Sequence, residues 1–176
     1  MNIRTADIAD VDQIRRLYLA AFGDEEKESL ANLACDLLNE TSKPDSLHLV
    51  ADVENGIGGH VAFSPVWSKT SRNLIAYILA PLAVAPEKQN TGIGSQLVRE
   101  GLRILEARNT GQVLVYGSPD YYGRFGFTAE LAKEFIPPFK LQYSFGWQAV
   151  QLESSVSDVH AGPIACVKAL NKPELW

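Results

Sequence analysis

Apolar residues recur along the chain with two different periods, and the switches between them predict the order of elements. Ile3-Arg4-Thr5-Ala6 reads as a short extended opening, ended by the polar run Asp7 to Asp10. Val11, Ile14, Leu17, Tyr18, Ala21 and Phe22 then fall on one face of a helix, with Gly23 as its stop. Asp10 with Gln13 three positions on has the form of a capping box. A second helix is predicted over Glu25 to Leu38, with Leu30, Leu33, Leu37 and Leu38 on one stripe. After the turn Lys43-Pro44-Asp45-Ser46, strands are predicted at Leu47 to Val53, His60 to Trp67 and Leu74 to Val84. The glycine-bearing loop Glu54 to Gly59 joins the first two as a hairpin. Pro81 has no N–H to give a ladder, which predicts a bulge or an edge within the third.

Further on, Ile93, Leu97, Val98, Leu102 and Leu105 share a face and predict a helix over Ile93 to Ala107. Val113-Leu114-Val115-Tyr116 follows as a short buried strand, past the turn Asn109-Thr110-Gly111. Strand, turn, helix, strand is a β-α-β unit, whose two strands should run parallel. Beyond Phe127 the pattern weakens, with strands expected near Leu141 to Tyr143, Gln148 to Leu152 and Ala165 to Lys168. No repeat, low-complexity tract or linker interrupts the chain. The expectation is one α+β domain over residues 1–176.

Composition narrows the partners. With 46% apolar and 21% charged residues the chain has ordinary globular content. A net charge of −5 without a basic cluster argues against nucleic acid and weakly favours a cationic substrate. No apolar run is long enough to span a bilayer, and the start Met1-Asn2-Ile3-Arg4 lacks the form of a signal peptide. No membrane association and a cytoplasmic location are expected. Cys35 and Cys166 stand apart, without metal-ligand spacing, and read as packed, reduced thiols; no metal is expected.

Candidate chemistry gathers at Gln89-Asn90-Thr91-Gly92-Ile93-Gly94-Ser95, which leaves a strand and opens a helix. Glycine lets the backbone turn its N–H groups toward one point. The first N–H groups of a helix have no internal partner and sit at the positive end of its dipole, so phosphate or pyrophosphate is the favoured ligand. A dinucleotide fingerprint would need a third glycine where Leu97 stands, and a P-loop would need a lysine after Gly94.

The order Gln-x-x-Gly-x-Gly after Leu82-Ala83-Val84-Ala85-Pro86 resembles the pyrophosphate loop of the GCN5-related N-acetyltransferase (GNAT) family. The opening strand and first helix, and Tyr122-Gly123-Arg124-Phe125-Gly126-Phe127 as a Tyr-x-x-x-Gly-Phe segment, resemble that family in the same order. The resemblance implies a mixed, mostly antiparallel sheet with a splayed central parallel pair, flanked by helices. It implies acetyl-CoA as co-substrate, with Gln89, Asn90, Thr91, Gly92, Ile93, Gly94 and Ser95 around the pyrophosphate. The backbone of Leu82, Ala83 and Val84 would pair with the pantetheine arm. Tyr122 would be the proton donor to the departing thiolate, with Tyr121 one frame away and also counted with the cofactor. Many relatives carry an Asn near Tyr116-Gly117-Ser118-Pro119-Asp120; here Ser118 would replace one of its hydrogen bonds.

The expected reaction is acetyl transfer to the primary amine of a small molecule or peptide. A catalytically weak acyl-CoA-binding regulatory module is the alternative, and a plain phosphate-binding protein a third reading. A base is harder to place, because Leu74 to Val84 holds no carboxylate. His48, His60 and His160 are lone candidates, and a water held by backbone carbonyls is the preferred route. Phe135, Phe139, Tyr143, Phe145 and Trp147 either shape the acceptor pocket or fill the core of the last strands. A homodimer through the C-terminal strands is left open.

Overall fold

The structure is a computed structural model and describes residues 1–153 and 162–176. In chain order the elements are β1 (Asn2–Thr5), α1 (Val11–Ala21), α2 (Lys27–Asn39), β2 (Leu47–Val53), β3 (Gly56–Ser68) and β4 (Leu74–Val84). They are followed by α3 (Ile93–Ala107), β5 (Gln112–Tyr116), α4 (Pro119–Tyr122), α5 (Ala129–Ala132), β6 (Phe135–Ile136), β7 (Trp147–Gln151) and β8 (Gly162–Cys166). The strand order is β1-β2-β3-β4-β5-β7, with β8 pairing both β3 and β6. Antiparallel ladders join β1 to β2, β2 to β3, β3 to β8 and β5 to β7. β4 and β5 are parallel, as the β-α-β pattern predicts, and β6 adds a two-rung parallel contact with β8. This is the expected α+β arrangement of a mixed sheet with flanking helices.

Two compact units make up the chain, each built from two stretches: Met1–Phe63 with Ala80–Gly101, and Ser64–Leu79 with Leu102–Trp176. In the first, the apolar stripe of α1 buries Ile14, Leu17 and Tyr18 with Ala31 and Ala34 of α2 and Val50 of β2. Small residues there let the two helices close on the strands. The sequence places the first cap wrongly. Asp7 caps a 3-10 turn ahead of α1, its carboxylate accepting from the Ala9 N–H at 2.9 Å, while Asp10 accepts from the Asp7 N–H at 2.8 Å. Asp10 also receives both terminal nitrogens of Arg4, at 2.7 and 3.0 Å, so it has no role left for Gln13. The β2–β3 hairpin is tighter than expected, since Val53 already pairs with Gly56.

Two glycines seat α3 in this unit. A Cβ on Gly59 would lie 2.7 Å from Ile93 Cγ2 and 2.9 Å from Leu97 Cδ1; one on Gly101 would lie 2.1 Å from the Phe63 ring. The helix therefore packs on the strand at a distance that only glycine allows.

In the second unit, β5 lies between the first part of β4 and β7. The parallel ladder runs only from Tyr77↔Val113 to Leu79↔Val115 and ends just before Pro81. Of the bulge or edge expected at Pro81, the edge is excluded, because β4 is an interior strand whose parallel ladder stops short of the proline. No strand forms at residues 141–143, contrary to expectation. Pro137 and Pro138 remove two N–H donors just upstream, and the Tyr143 N–H goes instead to the Tyr116 hydroxyl at 2.8 Å. Phe135 and Trp147 are core residues, 3% and 6% exposed, and the Trp147 indole N–H donates to the Phe135 carbonyl.

Candidate functional site

In the first unit the loop after β4 begins with a single 3-10 turn, Pro86–Lys88, and then reverses. Its left-handed residues are Asn90 (φ 60°) and Gly92 (φ 91°). Gly94 is helical, so the turn uses the freedom of one glycine and one asparagine rather than of both glycines. Asparagine is among the few side chains that tolerate this region. The Gln89 amide donates to the Val84 carbonyl at 3.2 Å and the Thr91 hydroxyl to the Lys88 carbonyl, tying the loop to the end of β4. The Gln96 N–H bonds the Gly92 carbonyl at 3.0 Å, which opens α3. The N–H groups of Ile93, Gly94 and Ser95 precede that bond and belong to the helix's unpaired first turn. A Cβ at Gly92 would meet nothing closer than 3.9 Å, so space above the turn is open. Unpaired N–H groups at the start of a helix form a cradle of the kind that favours anions.

Leu82, Ala83 and Val84 lie beyond the last rung of the parallel ladder, in the stretch of β4 belonging to the first unit. Ala83 also packs in the α1–α2 core. The structure therefore brings Leu82 to Ser95 together along one continuous segment.

Ser118, Tyr121 and Tyr122 lie in the second unit, at the short helix α4 after β5. The Tyr121 and Tyr122 N–H groups both donate to the Ser118 carbonyl, at 3.1 and 3.0 Å. The Ser118 hydroxyl does not cap the helix and stays exposed. Tyr122 is half-buried, its ring edge-on to Phe127 at 5.8 Å and to Tyr121 at 5.0 Å between centroids. A Cβ on Gly117 would lie 2.5 Å from the Tyr122 ring, so the phenol rests directly on the backbone there. Burial raises the Tyr122 pKa well above its usual value, with a smaller push from Tyr121. At neutral pH its hydroxyl is protonated and available as a donor. Arg124 stacks over the Tyr121 ring at 4.5 Å and donates to the Tyr121 carbonyl. Tyr121 is thereby held as a platform.

His48 and His60 are placed away from any solvent-borne proton transfer. His60 of β3 is fully buried, its Nδ1 hydrogen-bonded to the Tyr18 hydroxyl at 3.0 Å and its Nε2 to His48 Nδ1 at 3.3 Å. Burial holds both imidazoles neutral, lowering His48 to about 4 and His60 further. They form a core network in the first unit; His160 lies outside the described residues. Sequence reading missed Gly117 and Gly146, whose meaning is the close approach they permit: a Cβ on Gly146 would lie 3.1 Å from the Gly117 carbonyl and from the Tyr116 ring. Among the described residues no cluster of three metal-ligating side chains occurs. No helix in them is long and apolar enough to cross a membrane.

Residues 2–129 match the family described as the acetyltransferase (GNAT) domain. The chain is 36% identical over 122 residues to YjhQ of Escherichia coli, named an uncharacterized N-acetyltransferase, covering 69% of this chain and 66% of that protein. It is 39% identical over 128 residues to YhbS of Escherichia coli, likewise named an uncharacterized N-acetyltransferase, covering 72% and 73%. The crystal structure of YhbS in complex with CoA superimposes with a TM-score of 0.82 at 28% identity, over 97% of this chain and 92% of that one. A GNAT acetyltransferase from Brucella melitensis, solved with acetyl-CoA, gives 0.69 at 28% identity over 96% of both chains. The match of that family domain over residues 2–129, most of the sequence, shows that the chain belongs to the GNAT acetyltransferase family.

Proposed function

We propose that residues 1–176 act as one N-acetyltransferase domain that moves an acetyl group from acetyl-CoA to a primary amine by direct attack. The observation that carries this reading is the anion cradle at Gln89 to Ser95, with unpaired helix N–H groups and open space over Gly92. Two of the related proteins were solved with CoA or acetyl-CoA. Acetyl-CoA supplies an acyl carbon activated as a thioester.

Each residue has a part in this reading. Asn90, Thr91, Gly92, Ile93, Gly94 and Ser95 hold the pyrophosphate through backbone N–H groups, as a helix start holds any phosphate, while Gln89, whose N–H bonds the Pro86 carbonyl at 3.3 Å, ties the loop to β4. Leu82, Ala83 and Val84 offer backbone groups to the amide-bearing arm, as an edge offers itself to an added strand. Ser118 and Tyr121 contribute a hydroxyl and a flat ring to the same ligand. The amine nitrogen forms its bond to the acyl carbon as the carbon–sulfur bond breaks, and the nitrogen's proton passes to water. Tyr122 donates toward the sulfur. Its raised pKa makes it a weaker acid than free tyrosine, so its contribution is a hydrogen bond that tightens as charge grows on sulfur. Neutral, buried His48 and His60 take no part, and β4 carries no carboxylate.

Calorimetric titration with acetyl-CoA tests the reading, alongside a Gly92→Asp, Gly94→Asp double variant. Two carboxylates in the cradle repel pyrophosphate, so micromolar binding by the parent and none by the variant is expected. A parent that fails to bind acetyl-CoA overturns the proposal.

A further inference from the structure

Of the five aromatic residues between Phe135 and Trp147, the structure separates those that fill the core from those that do not. Phe135 and Trp147 are buried, whereas Tyr143 and Phe145 are 55% and 64% exposed. Large aromatic side chains are costly to leave in water, and these two stand together, their ring centroids 5.7 Å apart and inclined at 48°.

The loop that presents them is fixed rather than loose. The Tyr143 N–H donates to the Tyr116 hydroxyl at 2.8 Å, and the Gly146 N–H to the Tyr143 carbonyl at 3.0 Å. The Gly117 N–H donates to the Gly146 carbonyl at 2.9 Å, while the Gln148 amide bridges the Gly117 and Gly146 carbonyls at 3.1 and 3.3 Å. Gly117 thus carries the Tyr122 ring against its Cα and Gly146 against its carbonyl; an added Cβ would displace the first contact and crowd the second. Phe145 directly precedes Gly146. The loop that carries the exposed pair is therefore bonded to the same residue, Gly117, on which the Tyr122 ring rests, all within the second unit.

Charge decides what kind of molecule such a pair would take. From Phe135 to Trp147 the chain carries one cation, Lys140, and no carboxylate. A polycation would find repulsion and no counter-ion along this segment. A single amine on an apolar or aromatic body would find two ring faces for its body, with the ring quadrupoles tolerating its positive head.

We propose that Tyr143 and Phe145 are the specificity-determining residues for the acceptor, and that the acceptor is a monoamine with an apolar or aromatic body. This rests on the amine-acetylating reading above. The test uses the full chain and follows thiol release from acetyl-CoA, with phenethylamine and hexylamine against spermidine and a glycine-rich peptide amine. Phenethylamine binding is measured separately by calorimetry in the presence of CoA. Turnover is expected with the apolar monoamines. In Phe145→Ala and Tyr143→Ala their KM should rise about tenfold to a hundredfold, the loss of one aromatic contact, with kcat and the KM for acetyl-CoA little changed. Tyr143→Phe should restore the KM, since the ring and not the hydroxyl carries the contact. Both alanine variants change exposed side chains, and unchanged melting temperatures verify that they fold. Preference for spermidine or the peptide, with a KM indifferent to both substitutions, overturns this assignment and leaves the acetyltransferase reading intact. Acetyl-CoA binding without turnover of any amine, and without phenethylamine binding, overturns both.

Discussion

Position 122 differs between the proposed role and mere packing by a single hydroxyl. Tyr122→Phe keeps the ring against Gly117, Phe127 and Tyr121 and removes only the donor. Its kcat is expected to fall about tenfold to a hundredfold, the loss of one hydrogen bond to a developing charge, while acetyl-CoA binds as before. An unchanged kcat would mean that the Tyr122 hydroxyl gives no hydrogen bond to the departing sulfur. Tyr121→Phe is the control, because its ring rather than its hydroxyl is stacked beneath Arg124. From sequence the two tyrosines differ by one frame and nothing local separates them. What separates them is long-range: only one phenol can rest on Gly117, and a glycine's close approaches are invisible until the chain is folded. The same limit applies to the histidines. Alternation places His60 on a strand, but only the folded core shows that Tyr18 and His48 close around it.

Elements fixed by their own periodicity were legible almost to the residue. β2, β4 and α3 begin and end where the pattern of apolar positions places them. β6 was not legible, because two residues carry no period and their pairing, Phe135 to Gly162, is made far along the chain. Residues 141–143 look like a strand by composition, yet the proline pair upstream and the bond to Tyr116 hold them in a loop. In α3, Gly101 is a residue that helix propensity alone would replace. Alanine there gains about 1 kcal/mol of propensity. Its Cβ would also sit 2.1 Å from the ring of fully buried Phe63, and overpacking of that kind costs about 1 to 3 kcal/mol. Steric cost should win, so Gly101→Ala is expected to lower stability by about 1 kcal/mol in urea unfolding. A stabilised variant would mean that Phe63 has room to move.

For the whole molecule, the buried histidines tie stability to pH. Both have folded-state pKa values below their usual 6.5, His48 at about 4 and His60 lower, chiefly through desolvation. Above pH 6.5 both the folded and unfolded states hold these groups neutral, and they add no pH dependence. As pH falls from 6.5 toward 4, the unfolded chain takes up protons that the folded one refuses, and stability drops. Two such groups give a slope approaching about 2.7 kcal/mol per pH unit. Asp10, held below the carboxylate range by its bonds to Arg4, adds to the loss only at still lower pH. Urea midpoints measured between pH 7.5 and 4.5 should show this slope, and a flat profile would mean that the imidazoles reach solvent.

The passage of β3 and β4 through both units has a consequence for the order in which the protein can be made. Phe63 and Ser64 adjoin within one strand, as do Leu79 and Ala80 in the next, so each unit is interrupted by the other along the chain. A ribosome delivering residues in sequence releases the α1–α2 hairpin and the first strands early. Their unit still waits for Ala80–Gly101, which brings both the cradle and the helix that seats on Gly59. The other unit waits longer, since β3 gains its β8 rungs at Val66, Trp67 and Ser68 only when Ile164 to Cys166 emerge. A stalled chain ending near residue 150 would thus be expected to resist protease over Met1–Phe63 and Ala80–Gly101 and to be cut within Ser64–Leu79.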